Sequence, residues 1–156
     1  MRTNKTLGNR MKPPKETTTS ENQDRWWSSH GIVYFFAAGN PAKAIKIGVT
    51  ALTKEKTIKE AVVERFRHLQ TSNHETVELL GIIYFSSGKY PTRDAEILER
   101  ELHIRFSVSQ RFKPNTRGCE WFTPTEELFL YINENSSRPE SLELPSIISK
   151  PINRTN

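Results

Sequence analysis

Between Gly31 and Thr50 the chain reads GIVYFFAAGNPAKAIKIGVT. Two apolar runs rich in β-branched and aromatic residues, Ile32 to Ala38 and Ala44 to Val49, flank a Gly-Asn-Pro punctuation. That pattern predicts two strands joined by a hairpin through GNPAK. From about Thr57 to Gln70 the period changes: Val62, Phe66 and Leu69 recur at i, i+4 and i+7, one apolar stripe of a helix. VELLGIIYF, Val77 to Phe85, is a third strand, too apolar for an exposed edge. TRDAEILERELHIRFSV predicts a second helix with Ala95, Leu98, Leu102 and Phe106 as its buried stripe. Glu96 with Arg100 and Glu101 with Arg105 sit four apart on its exposed faces. EWF is a short apolar piece, and TPTEELFLYI predicts a third helix, capped by Thr123 or Thr125 with Pro124 near its first turn. The order ββαβαα predicts an α+β domain, a small three-stranded sheet flanked by helices.

The 156 residues suit one core. Residues 1–24 are rich in Thr, Asn, Lys and Pro, with too little apolar surface to repay the entropy of ordering, and read as a disordered tail. Residues 25–133 form the expected domain. Residues 134–156, punctuated by Pro and Ser, read as a second, mostly disordered tail in which LELPSII suits docking as an extended segment. No apolar run approaches the roughly 18 residues of a membrane span, and the N-terminus carries no secretory pattern, so an intracellular, cytoplasmic location is expected. Cys119 is the one cysteine, which excludes an intramolecular disulfide and makes a zinc knuckle unexpected. A net charge of +5 and a pI of about 9.4 point to an anionic partner, most commonly nucleic acid.

Several polar residues sit where the pattern expects none. Lys46 stands between Ile45 and Ile47. With the hairpin centred on Asn40, antiparallel pairing sets Tyr34 opposite Lys46, Phe36 opposite Ala44 and Ile32 opposite Gly48. The alternative has Lys46 snorkelling from an edge strand, with Tyr34 ordinary core. Glu99 lies at the margin of the second helix's buried stripe, either as an oxygen ligand for a hard cation or in a surface pair with His103 or an arginine. Arg65 flanks the first helix's stripe, suited to bidentate phosphate binding or to a solvated face shared with Arg67 and His68. Arg111, Lys113 and Arg117 in FKPNTRGCEWF suit backbone phosphate contacts or a solvated loop. Trp26 and Trp27 suit base stacking or, more simply, packing at the entrance to the first strand.

Taken together and in order, VYFF, IKIGVT, ERFRHLQT, EILERELHIRF and RGCEWF resemble the GIY-YIG nuclease superfamily. The branch most similar is that of phage DNA-binding-type domains and the meiotically upregulated group, over about residues 31–132. The resemblance implies a compact fold around a three-stranded antiparallel sheet, whose concave face binds DNA and a single divalent ion, Mg²⁺ or Mn²⁺. It implies that Tyr34 ends the first tripeptide, that Lys46-Ile47-Gly48 is the second, that Arg65 is the helix arginine, and that Glu99 is the metal-binding glutamate. His103 and Glu120 belong to this branch's own LExxLHxxF-like and EWF patterns.

The expected activity is therefore DNA phosphodiester hydrolysis, with Tyr34 as base, Arg65 on the phosphate and Glu99 on the metal. Lys46 would lower the Tyr34 pKa, and His103 or His68 would pass the proton onward. Arg67, His68, Arg111, Lys113 and Arg117 are the expected DNA contacts. The alternative is a DNA-binding module that keeps the fold without turnover. With only tails beside the domain, the expectation is weak specificity, a homodimer or a partner protein that supplies specificity.

Overall fold

Strand β1 (Gly31–Ala38) is buried at every position, because its even and odd residues are both apolar and each face of the sheet carries its own core. The computed structural model describes residues 20–111 and 120–142. β1 is flanked by β2 (Ala44–Ala51) and β3 (Val77–Phe85), and β4 (Trp121–Phe122) lies beyond β2, giving an antiparallel sheet in the order β3-β1-β2-β4. The sheet thus has four strands where three are expected, because the EWF piece pairs with Ile45 and Lys46.

Residues 20–28 form helix α1. Helix α2 (Ile58–Thr71) covers one face of the sheet, packing Ala61, Val62 and Phe66 on Ile32, Tyr34 and Phe36. A capping box fixes its start: the Thr57 hydroxyl accepts from Glu60 N–H, and the Glu60 carboxylate accepts from Thr57 N–H. Helices α3 (Pro91–Arg105) and α4 (Glu126–Asn135) cover the other face, packing Ala95, Leu102, Leu128 and Ile132 on Val33, Phe35, Ile45 and Ile47. Thr125 caps α4 through Leu128 N–H. The predicted order and stripes hold. A bulge in β3 pairs Phe35 with Gly81 and Phe36 with Leu79, so Leu80 is left over and the strand's apolar residues serve both cores.

Ordered structure reaches into both segments whose composition reads as disordered. α1 begins by residue 20, and the Trp26 and Trp27 indoles both donate to the Glu96 carboxylate, at 3.0 and 2.9 Å. Glu96 therefore serves as a dock for α1 and not as a partner of Arg100. Arg105 likewise reaches Glu127 of α4, at 3.6 Å, instead of Glu101. Beyond α4, Ser137 exchanges backbone bonds with Ile82 at the β3 edge, and Pro139 is buried.

The hairpin register differs from the expected one. Ala38 pairs with Ala44, which centres the loop on Pro41, one residue later than Asn40, and moves every partner by two. Tyr34 is opposite Gly48, Phe36 opposite Lys46 and Ile32 opposite Thr50. A shift of two preserves the face of each side chain, so Lys46, Gly48, Thr50 and Tyr34 still share one side of the sheet.

Candidate functional site at the open edge of β2

β4 is two residues long, and it covers β2 only at Ile45 and Lys46. The next residue, Ile47, turns its backbone outward: its N–H donates to the Glu120 carbonyl at 3.0 Å, and its carbonyl accepts from His103 Nε2 at 3.0 Å. A carbonyl only accepts, so the His103 proton sits on Nε2. His103 thereby carries the strand edge on where β4 stops, with its ring edge-to-face on Phe122 at 5.1 Å. This is a positioning role for His103, and it leaves Glu99 without the histidine partner considered for it.

Tyr34 lies across the neighbouring residue. A Cβ built on Gly48 would overlap the phenol at Cζ, Oη and Cε1, so glycine is what allows the ring to cross the strand. Arg65 comes from α2 and donates from Nη2 to Thr50 Oγ1 at 3.3 Å, which holds its guanidinium beside the same face. Glu99 comes from α3. Tyr34 feels Arg65, Glu120 and Glu99, and Glu99 feels Glu120, Glu96 and Lys46, so charges from separate elements act on one another near this edge.

The electrostatics correct one expectation. Lys46 stands opposite Phe36 and not Tyr34; it forms an ion pair with Glu120 at 2.6 Å and lies 5.9 Å from the centre of the Trp121 ring. Burial pushes the Tyr34 hydroxyl up to about 12; Arg65 alone opposes this, while Glu120 and Glu99 add to it. The pKa-lowering role assigned to Lys46 therefore passes to Arg65. Glu99 is raised to about 7, first by burial, then by Glu120 and Glu96, against Lys46 and Arg100.

Glu99 accepts no hydrogen bond from any described residue. Half-buried, without a donor among the described residues and pushed up by burial and by two other carboxylates, this group has the chemistry of an oxygen ligand for positive charge. It fits a hard cation that takes one or two protein carboxylates and completes its shell with water and phosphate. Among the described residues, no group of three or more His, Cys, Asp or Glu is placed to hold a metal ion.

The predicted DNA contacts divide. Arg67 and His68 are exposed on α2, along a shallow depression shared with Lys56 and Lys59. Arg111 is exposed at the far end of β2, donating to the Lys43 carbonyl at 3.2 Å and, through its backbone, to the Trp121 carbonyl. Lys113 and Arg117 lie outside the described residues. The feature least visible in the sequence is Glu120 as the partner of Lys46, signalled only by its place in EWF beside an unpaired strand lysine.

The fold and cleft define an α+β domain with a cationic and carboxylate site at one sheet edge. The chain belongs to the T5orf172 domain family, a phage-associated, DNA-related family, whose model matches residues 31–135. No curated protein and no solved structure matches the chain. Among the described residues no helix is long and apolar enough to cross a membrane.

Proposed function

We propose that this chain is a metal-dependent endonuclease of the GIY-YIG type that hydrolyses DNA phosphodiester bonds at the β2 edge. The observation that carries the reading is that Tyr34 crosses the strand over Gly48 beside Thr50, which holds Arg65, with the Glu99 carboxylate near enough to act on the phenol. Glu99 is the residue that would hold Mg²⁺ or Mn²⁺, which when bound supplies charge stabilisation to a phosphoryl oxygen and the leaving 3′ oxygen. Arg65, steadied by Thr50, binds a non-bridging phosphate oxygen and stabilises charge as it develops there. Tyr34, as phenolate, takes the proton of the attacking water while the new O–P bond forms and the P–O3′ bond breaks, and the departing 3′ oxygen takes a proton from solvent water. With a pKa near 12 the phenolate is scarce at neutral pH but strongly basic, and Arg65 is the cation that favours it. Arg67, His68 and Arg111 bind flanking phosphates, with Lys113 and Arg117 in the same role.

The raised Tyr34 pKa also favours a second reading, a DNA-binding module without turnover, in which the phenol stays neutral and the cleft only grips phosphate. Nicking of supercoiled plasmid with Mg²⁺ or Mn²⁺, against an EDTA control and Glu99→Ala, separates the two. Metal-dependent nicking lost in the variant supports the nuclease. Salt-dependent binding with no nicking supports the module.

A further inference from the structure

The Lys46–Glu120 pair is placed oddly for a structural ion pair. The Lys46 side chain is 17% exposed and that of Glu120 is 41% exposed, so the ammonium is largely covered while the carboxylate is open to solvent at the β2 edge. Both backbones are fixed, Lys46 within β2 and Glu120 by its carbonyl on Ile47 N–H, so only side-chain torsions separate the pair. Glu99 stands one turn before His103 on α3, His103 holds the Ile47 carbonyl and the Glu120 carbonyl holds the Ile47 N–H, so α3 and Glu120 both meet β2 at the residue after Lys46; there the ammonium pulls on the Glu99 carboxylate and the second carboxylate pushes. One ammonium thus acts on two carboxylates, one of which has no hydrogen-bond donor among the described residues.

A phosphodiester entering this cleft competes with Glu120 for Lys46. A hard cation at Glu99 competes with Lys46 for Glu120. Each ligand arriving alone works against the pair, and the two arriving together leave every charge matched, phosphate with Lys46 and cation with both carboxylates. We propose that the Lys46–Glu120 ion pair is an exchange latch: DNA phosphate draws off Lys46, and Glu120 so freed joins Glu99 on the divalent cation. Glu120 is then a further ligand of the cation site and Lys46 a phosphate contact, each masked by the other in the free protein. The inference rests on the nuclease reading of the cleft and deepens it.

The consequence is positive coupling between DNA and cation, equal in both directions by linkage. The test titrates Mn²⁺ into the full chain, following free Mn²⁺ by electron paramagnetic resonance, with and without a saturating phosphorothioate duplex that resists hydrolysis. DNA is expected to tighten Mn²⁺ binding about five-fold or more, and Mn²⁺ to tighten DNA binding by the same factor. Two variants give crossed gains that a merely structural pair would not. Glu120→Gln releases Lys46 and binds DNA more tightly than wild type without metal, with the coupling gone. Lys46→Gln releases Glu120 and binds Mn²⁺ more tightly than wild type without DNA. Absent coupling in wild type, coupling intact in Glu120→Gln, or weaker metal-free DNA binding in that variant would each overturn the latch. Metal-dependent nicking by wild type alongside any of these results confines the failure to the latch. A wild type that binds neither ligand overturns the nuclease reading and the latch together.

Discussion

Glu96 and Glu99 stand three residues apart on α3, the same side chain on adjacent parts of one helix, and their surroundings give them different work. Glu96 accepts two indole N–H groups, from Trp26 and Trp27, and so ties α1 to the domain; the Trp27 ring is in turn flanked by Arg93, at 5.1 Å, and Tyr90, at 5.8 Å. Glu99 meets no donor among the described residues and is pushed up to about 7 by burial and by neighbouring carboxylates. A carboxylate satisfied by neutral N–H groups is structure, and one left in a half-buried site with like charges is poised to take a cation. The contrast shows that donor supply, together with burial and neighbouring charge, decides which acid on a helix is available for chemistry.

The sharpest way to break the comparison is to remove each carboxylate. Glu99→Ala is expected to lower metal-dependent plasmid nicking by roughly 10³-fold with the circular dichroism spectrum unchanged, since the cleft loses its cation ligand and no hydrogen bond. Undiminished nicking in that variant would sink the assignment. Gly48→Ala follows in size, because the added methyl must displace the Tyr34 ring. A nicking loss of about 10²-fold is expected, with thermal unfolding reporting about 1–3 kcal/mol of destabilisation. A variant with full activity would show that the phenol's place over Gly48 does not matter.

Tyr34 sharpens the comparison through pH. Its hydroxyl titrates near 12, so the phenolate fraction, and with it the nicking rate, is expected to rise about ten-fold per unit between pH 7 and 9. In Tyr34→Phe that slope disappears; a slope that survives would assign the base elsewhere.

Glu99 predicts a smaller effect on stability. Its folded pKa of about 7 lies above its ordinary 4.5, so the folded protein keeps a proton that the unfolded chain gives up between those values. The stability linked to that proton is complete below about pH 4.5 and falls as pH rises towards 7. Without divalent cation, Glu99→Gln should exceed wild type by ~1–2 kcal/mol at pH 8 and match it at pH 4, the figure being reduced because the site is partly solvated. Equal melting temperatures at pH 8 would refute the raised pKa. The smallest change is Glu96→Ala, expected to cost about 1–2 kcal/mol by leaving two indole N–H groups without their acceptor. Nicking in that variant should persist, and a loss as deep as that of Glu99→Ala would erase the distinction between the two acids.

Much of the architecture was legible in the chain. The alternating and continuous apolar runs separated strands from helices, and the stripes Val62-Phe66 and Ala95-Leu102-Phe106 identified the buried helix faces, because side-chain direction follows a fixed period. Glu99 and Arg65 were legible as polar residues at the margins of those stripes. The fourth strand was not, because two residues carry no period. The exact partner of Tyr34 was not, because a hairpin loop can centre on either of two neighbouring residues without disturbing the apolar alternation.

The chain by itself therefore determined which residues face which layer, and with that the side of the sheet on which Tyr34, Lys46, Gly48 and Thr50 gather. Only the tertiary structure decided who pairs with whom. Lys46 takes Glu120, His103 takes the Ile47 carbonyl and Glu96 takes two tryptophans. Periodicity is a property of one segment. Charge partnership depends on where separate segments end in space, and here the early end of β4 set both the open edge and the company kept by each charge along it.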